Sequence, residues 1–230
     1  FMYMPYMNFP LEGRKSGLLI PTYGTSDRAG TDIAIPYYWN IAPNRDATIT
    51  PRYIEKRGTM AETEFRYLNR YSSGTLNYDF LQDDALYRDE LLAADNLPDD
   101  LDPDNNDRYY VRLNHNQQLT HRWRVNLGYQ EVSDSQYFND LKGSLSSSSA
   151  THLERRFEMN YRAGSLAFSA RAQNYQTLVE GREPYTRLPQ LLFSATPPQR
   201  PWQLNYDFNG EFVTFEHDSL SPTGSRLDLY

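Results

Sequence analysis

Apolar and polar residues alternate over long stretches of this chain, and a period of two is the pattern of a strand whose two faces meet different surroundings. Trp202, Leu204, Tyr206, Phe208, Gly210 and Phe212 alternate with Gln203, Asn205, Asp207, Asn209 and Glu211. Trp123, Val125, Leu127 and Tyr129 alternate with Arg124, Asn126, Gly128 and Gln130. Phe157, Met159 and Tyr161 interleave with Arg156, Glu158, Asn160 and Arg162, with Arg155 as the misfit. The same rhythm recurs at Phe65 and Tyr67 against Glu64 and Arg66, at Leu76, Tyr78 and Phe80 against Asn77 and Asp79, and at Leu166, Phe168, Ala170 and Ala172 against Ser169, Arg171 and Gln173. These runs predict an all-β chain of about twelve or thirteen antiparallel strands.

The residues on the two faces narrow the kind of sheet. A soluble sandwich fills its inner face with Val, Ile and Leu. Here the apolar face is Tyr, Phe, Trp, Leu and Ala, aromatics reach 14% of the chain, and the polar face carries long charged side chains. Several runs exceed the usual strand length of about 5–6 residues. Lipid outside, a polar lumen inside, aromatic girdles and crossings of about 9–11 residues account for all three features. The fold class expected is therefore an antiparallel transmembrane β-barrel segment, with a large soluble barrel as the alternative. No run of about 18 apolar residues is present, so a helical membrane protein is excluded.

Arg57-Gly58, Ser72-Ser73-Gly74 and Ala163-Gly164 read as tight hairpin turns, and longer polar loops fall at 82–107, 133–150 and 217–224. The 82–107 loop is acidic: ten carboxylates against Arg88 outweigh the whole net charge of -7 and leave the remaining chain slightly positive. Clustered carboxylates suit a divalent cation. Without EF-hand spacing, the loop reads as a solvated segment, and no metal is assigned to it. One helix is expected inside it, at Leu86–Asn96. Short turns after Tyr71 and Arg162 suggest one side of the membrane and the long loops the other. Outer-membrane barrels put longer loops outside, and that parity fits a periplasmic entry only if residues 1–10 belong to a preceding domain or the strand count differs by one.

Catalysis finds no support. The four histidines, His115, His121, His152 and His217, accompany no Gly-x-Ser-x-Gly elbow and no His-x-x-x-His pair. Without cysteine there is no thiolate site or disulfide. No phosphate-cradling glycine loop and no basic stripe for nucleic acid appear, so no enzyme, cofactor or nucleic-acid partner is expected. The first residue, Phe1, is not followed by a leader pattern, and the chain reads as a piece of a longer protein.

Residues 35–53, Ile-Pro-Tyr-Tyr-Trp-Asn-Ile-Ala-Pro-Asn-Arg-Asp-Ala-Thr-Ile-Thr-Pro-Arg-Tyr, resemble the early-barrel signature of the LptD family, lipopolysaccharide-assembly proteins of the bacterial outer membrane. Arg14-Lys15-Ser16-Gly17-Leu18-Leu19-Ile20-Pro21, Glu64-Phe65-Arg66-Tyr67-Leu68 and Tyr137-Phe138-Asn139-Asp140 extend the resemblance in order. It implies that residues 1–230 are roughly the N-terminal half of an outer-membrane barrel of about 26 strands, with 1–10 at the junction to an upstream periplasmic domain. It also implies a lipoprotein plug, LptE, in the lumen, a periplasmic LptA bridge reached through the upstream domain, and lipopolysaccharide and outer-membrane lipid as partners. A half-barrel would expose its edges and its lipid face, so this piece is not expected to fold alone in water.

The resemblance sharpens two sets of candidate residues. Pro5, Pro10, Pro21, Pro36, Pro43 and Pro51 are six of the 14 prolines, all within the first 51 residues. Proline donates no N–H to a ladder. A diffusion porin, the competing function, gains nothing from a weakened first hairpin, whereas a barrel that releases lipid sideways does. Pro5, Pro10 and Pro21, with Gly17 and Gly24, are the expected lateral gate. On the polar face, Arg52, Arg66, Arg70, Arg112, Arg122, Arg124, Arg156, Arg162 and Arg171 are expected to face the lumen, where guanidinium forks suit the anionic groups of a saccharide. Leu127, Phe157, Phe168, Leu204, Tyr206 and Phe208 are expected on the outer surface, with Trp123 and Trp202 nearer an interface.

Overall fold

The computed structural model describes residues 13–93, 106–142, 150–179, 181, 183–196, 206–217 and 223–230. Fourteen strand segments form one antiparallel sheet. They are β1 (Gly17–Leu18), β2 (Thr22–Ser26), β3 (Gly30–Ala34), β4 (Tyr37–Ala42), β5 (Arg45–Ile54), β6 (Gly58–Leu68), β7 (Ser72–Leu81), β8 (Arg108–Gln118), β9 (Trp123–Val132), β10 (His152–Ala163), β11 (Leu166–Thr177), β12 (Thr186–Ala195), β13 (Phe208–Glu216) and β14 (Gly224–Leu229). β1 and β2 are one strand interrupted at 19–21, and β3 and β4 one strand interrupted at Ile35-Pro36, so the described residues form twelve traverses of the sheet, within the expected number. Strands β5 to β12 are ten to twelve residues long, the length a tilted membrane crossing requires.

Register settles the faces, because directly paired residues lie on the same side of a sheet. Glu62 pairs with Asp79 and Asp79 with Tyr110, while Asn126 pairs with Glu158 and Glu158 with Arg171. Arg66, Thr75, Asn114, Gly128, Arg156 and Gln173 follow one another in the same way, so the polar face is continuous from β6 to β11. On the other face Leu127 pairs with Phe157, Tyr161 with Phe168, Phe168 with Phe193, and Ala195 with Phe208. Phe208 is 56% exposed and Phe157 43%, as rings on the outer wall of a barrel should be. The Trp123 ring lies tilted against Tyr161, 4.7 Å between ring centroids, at one end of that face. Tyr206 precedes β13 and lies outside any strand, and Trp202 and Leu204 lie outside the described residues.

The connections sort into two ends. Pro43-Asn44, 69–71, 119–122 and Gly164-Ser165 are short and lie at what we call the turn end; the connection from β12 to β13 is also there. The connections β2–β3, β5–β6, β7–β8, β9–β10, β11–β12 and β13–β14 leave and rejoin the sheet at the opposite, loop end. β1 begins at the turn end. The expected turn at Ser72-Ser73-Gly74 is displaced: the chain reverses at 69–71, where the Asn69 N–H donates to Ser72 O at 2.7 Å, and Ser72 to Gly74 belong to β7. Gly74 is small for another reason. Tyr67 reaches across it to His115 Nδ1, and a Cβ at Gly74 would collide with that ring and stand 2.7 Å from Asn114 O.

The two long loops do more than cross solvent. Helix α1 (Ala85–Leu92) matches the expected helix, and 94–96 lie outside the described residues. A π-helical turn, Phe138–Lys142, folds from the second loop onto the polar face. The second segment closes a small core at the loop end: Tyr137, Phe138 and Leu141 pack with Ile54, Met60, Leu81, Val132 and Leu153. Burying those eight side chains supplies the free energy that holds the loop inward.

Candidate functional site

Three regions of the sheet carry features a transport function could use. The first is the N-terminal hairpin. Gly17 pairs with Tyr38 and Leu18 with Tyr37, then the ladder breaks and resumes at Thr22 opposite Ala34. Pro21 and Pro36 stand in that gap, where neither has an N–H to donate. A single backbone bond spans it, Leu19 N–H to Pro36 O at 2.8 Å. Pro51 extends the fault into β5: it sits where the partner of β5 changes from β4 to β3, and its carbonyl accepts from Ile35 N–H at 3.0 Å. Every residue of β2 is exposed. Among the proposed gate residues, Pro21 is thus at a real interruption. Gly17 and Gly24 sit in ordinary strand pairing without positive φ, so their positions demand no glycine-only conformation. Pro5 and Pro10 lie outside the described residues.

The second region is the polar face. Most of its arginines are tied to carboxylates. Arg52 Nη2 is 2.6 Å from Asp32 and its Nη1 3.2 Å from Glu62; Arg66 Nε donates to Asp46 at 2.8 Å; Arg171 Nη2 lies 3.0 Å from Glu158. Arg156 is a looser 3.9 Å from Glu154. Arg112, Arg124 and Arg162 also belong to this face by register, and no ion pair joins them to an acid among the described residues. Two expected members are elsewhere: Arg70 and Arg122 fall in turns, beyond the alternation that assigned them. The Arg70 guanidinium lies over Tyr71, 4.9 Å from the ring centroid.

The third region is the loop end, which sequence reasoning read as polar loop. Asp84 is fully buried, contrary to the solvated reading of its segment. Its carboxylate caps α1 by accepting from Tyr87 N–H at 3.1 Å, and also accepts from Arg57 Nη1 at 2.6 Å and Arg108 Nη1 at 3.1 Å. Arg108, fully buried, forks onto Asp134 at 2.7 and 2.9 Å, reaches Asp140 at 2.8 Å and stacks 4.3 Å from the Tyr87 ring centroid. Arg28, in the β2–β3 turn, holds Glu90 of α1 at 2.7 Å and Asp140 at 2.8 Å. Tyr137 donates to Asp79 at 3.2 Å, and Lys142 Nζ sits 2.7 Å from Asp79 and 3.1 Å from Glu62. Burial opposes the Lys142 charge, but those two carboxylates outweigh it and hold its pKa above the ordinary value. Burial, reinforced by Asp79, pushes the Tyr137 phenol up. The three aspartates converge on guanidinium groups, and among the described residues no group of His, Asp or Glu is arranged to hold a metal ion. The sequence signal that could have located the cluster was the Tyr-Phe-Asn-Asp run at 137–140, an apolar pair inside a polar loop.

Comparison with known proteins places these features. The family model LptD, "LPS transport system D", matches residues 106–230. The "LPS-assembly protein LptD" of Nitrosococcus oceani is 40% identical over 99% of this chain, that of Aromatoleum aromaticum 41% over 98%, and that of Pseudomonas aeruginosa 37% over 99%. The chain spans 29%, 27% and 25% of those relatives. The relatives are lipopolysaccharide-assembly proteins, which does not favour the porin alternative. With its antiparallel transmembrane β-barrel fold, the chain belongs to the LptD family of the lipopolysaccharide transport system.

Proposed function

We propose that this chain is the N-terminal wall of an outer-membrane barrel that passes lipopolysaccharide sideways into the outer leaflet. The observation that carries the reading is the broken first hairpin, with Pro21, Pro36 and Pro51 clustered where its ladder fails. A lipid whose acyl chains must stay in hydrocarbon while its sugars stay in water can leave only between two strands, and the cheapest place to part a sheet is where backbone bonds are already missing. The saccharide runs along the arginine-bearing polar face, which makes that face the lumen wall, and the work done is transport without chemistry on the cargo.

The turn end faces the periplasm in this reading, since β1 begins there and the long loops stand opposite. An upstream periplasmic domain, reached by an LptA-type bridge, then delivers the lipid to the start of β1, and an LptE-type lipoprotein fills part of the lumen. In the full-length protein, replacing Pro21 and Pro36 by Ala restores donors beside the gap, at about 0.5–1.5 kcal/mol per bond regained. Delivery of lipopolysaccharide to the cell surface should slow while barrel assembly stays normal. Unchanged delivery in a variant whose first hairpin shows the added amide protection would remove the hairpin from the gate.

A further inference from the structure

The arginines of the polar face divide by what register sets beside them, and the division points to a binding site. Arg171 in mid-sheet is directly opposite Glu158, and Arg66, near the turn that joins β6 to β7, is directly opposite Asp46. Around the β8–β9 and β10–β11 turns register sets neutral residues there instead. Arg124 faces Gln118 on one side and Asn160 on the other, and Arg162 faces Ala167. Arg122 joins them from the β8–β9 turn, its carbonyl accepting from the Arg162 N–H at 2.9 Å. All three guanidinium-bearing residues are exposed, and all three line one concavity of about 690 Å³. The acid that also lines it, Glu158, is already held by Arg171 at 3.0 Å and by Asn160 at 2.7 Å.

We propose that Arg122, Arg124 and Arg162 form a phosphate-recognition station at the turn end, which takes phosphoryl groups carried on a saccharide. The proposal rests on the transport reading above and adds the chemical group that is read. A carboxylate is satisfied by one guanidinium fork, whereas a phosphoryl group carries a charge near -2 and three acceptor oxygens, which suit several converging forks. Asn126 and Ser169 line the same concavity and supply the amide and hydroxyl partners that sugar hydroxyls need. Placed at the end where the lipid arrives, the station would hold the phosphorylated headgroup as it enters the lumen, with no competing internal acid to displace.

The test uses the full-length protein with its lipoprotein partner. A photo-crosslinking residue is placed at Ser169, inside the concavity, or at Asn77, on the same face away from it, and challenged with lipopolysaccharide or with its enzymatically dephosphorylated form. The expected result is a Ser169 crosslink that drops roughly tenfold or more on dephosphorylation, and equally with Arg122→Gln, Arg124→Gln and Arg162→Gln combined. The Asn77 crosslink should keep most of its yield. Ser169 crosslinks of equal yield with both substrates would overturn the station and leave the luminal path standing, whereas loss of crosslinks at both positions during normal delivery would overturn both. Capture of the lipoprotein at Ser169 in place of the saccharide would overturn the station in favour of a protein contact. Millimolar inorganic phosphate that abolishes the crosslink without any effect of dephosphorylating the saccharide would make it a free-phosphate site and overturn the proposal equally.

Discussion

At the loop end of this sheet, Arg108, Arg57 and Asp84 are buried to within 1% of complete exclusion from solvent, and the loops that carry or cover them are packed on an apolar core. At the turn end, 30 Å or so away for a ten-residue strand, Arg122, Arg124 and Arg162 stand exposed without an acid among the described residues. The same residue type does opposite work in these two clusters. Buried guanidiniums must be paired and hydrogen-bonded or the fold loses several kcal/mol, so the loop-end set is a structural latch. Exposed ones cost the fold little, which leaves them available to a ligand. Removing an arginine therefore has a different readout at each end, and that contrast can be broken in graded steps.

The largest effect is expected from Arg108→Ala, which strands the buried Asp134 and leaves Asp84 and Asp140 to Arg57 and Arg28 alone; about 3–5 kcal/mol of local stability should be lost. Limited proteolysis of the assembled barrel within 133–142 would report it, and a segment as resistant as the parent would refute the latch. Leu141→Ala removes a side chain from the eight-residue core and should cost about 2–5 kcal/mol by the same assay. Gly74→Ala forces Tyr67 off His115 and should cost about 1–3 kcal/mol, visible as a lower unfolding temperature of the barrel. Arg124→Gln should change that temperature by an amount equivalent to less than about 0.5 kcal/mol. A larger loss would mean that the turn-end arginines are structural as well.

The latch also has a pH signature. Lys142 has a folded-state pKa above its ordinary 10.5 and Tyr137 one above its ordinary 10.0. For groups raised on folding, the contribution to stability is complete below the unfolded value and is lost as pH climbs through the folded one. Protection of 133–142 should hold through neutral pH and fall above about pH 10, and Lys142→Met should blunt that fall. An acid-side loss with no alkaline loss would contradict the assignment.

Much of the sheet was legible beforehand because alternation is enforced at every residue: slipping one place would turn Phe157 into the lumen and Glu158 into lipid. Arg52, Arg66 and Arg171 lie on the polar face of the sheet for the same reason. Where strands end, the rule has no grip, which is why Arg70 and Arg122 were assigned to a face although they lie in turns. The loop-end latch was hidden because its partners come from five separate segments, and the charge of Asp84 or Asp134 reads alike in a solvated loop and in a buried pair. The prolines showed that the first hairpin is weak, but only pairing located the gap at 19–21 against Ile35-Pro36.

The claim that unites the two ends is that cargo leaves through the seam bounded by this first hairpin. A disulfide in the full-length protein, from a cysteine replacing Thr25 on the exposed β2 to one on the closing strand beside it, tests that claim most directly. With the crosslink formed, lipopolysaccharide should load into the lumen and fail to reach the surface, and reduction should restore delivery. Delivery at the uncrosslinked rate with the disulfide fully formed would contradict the account.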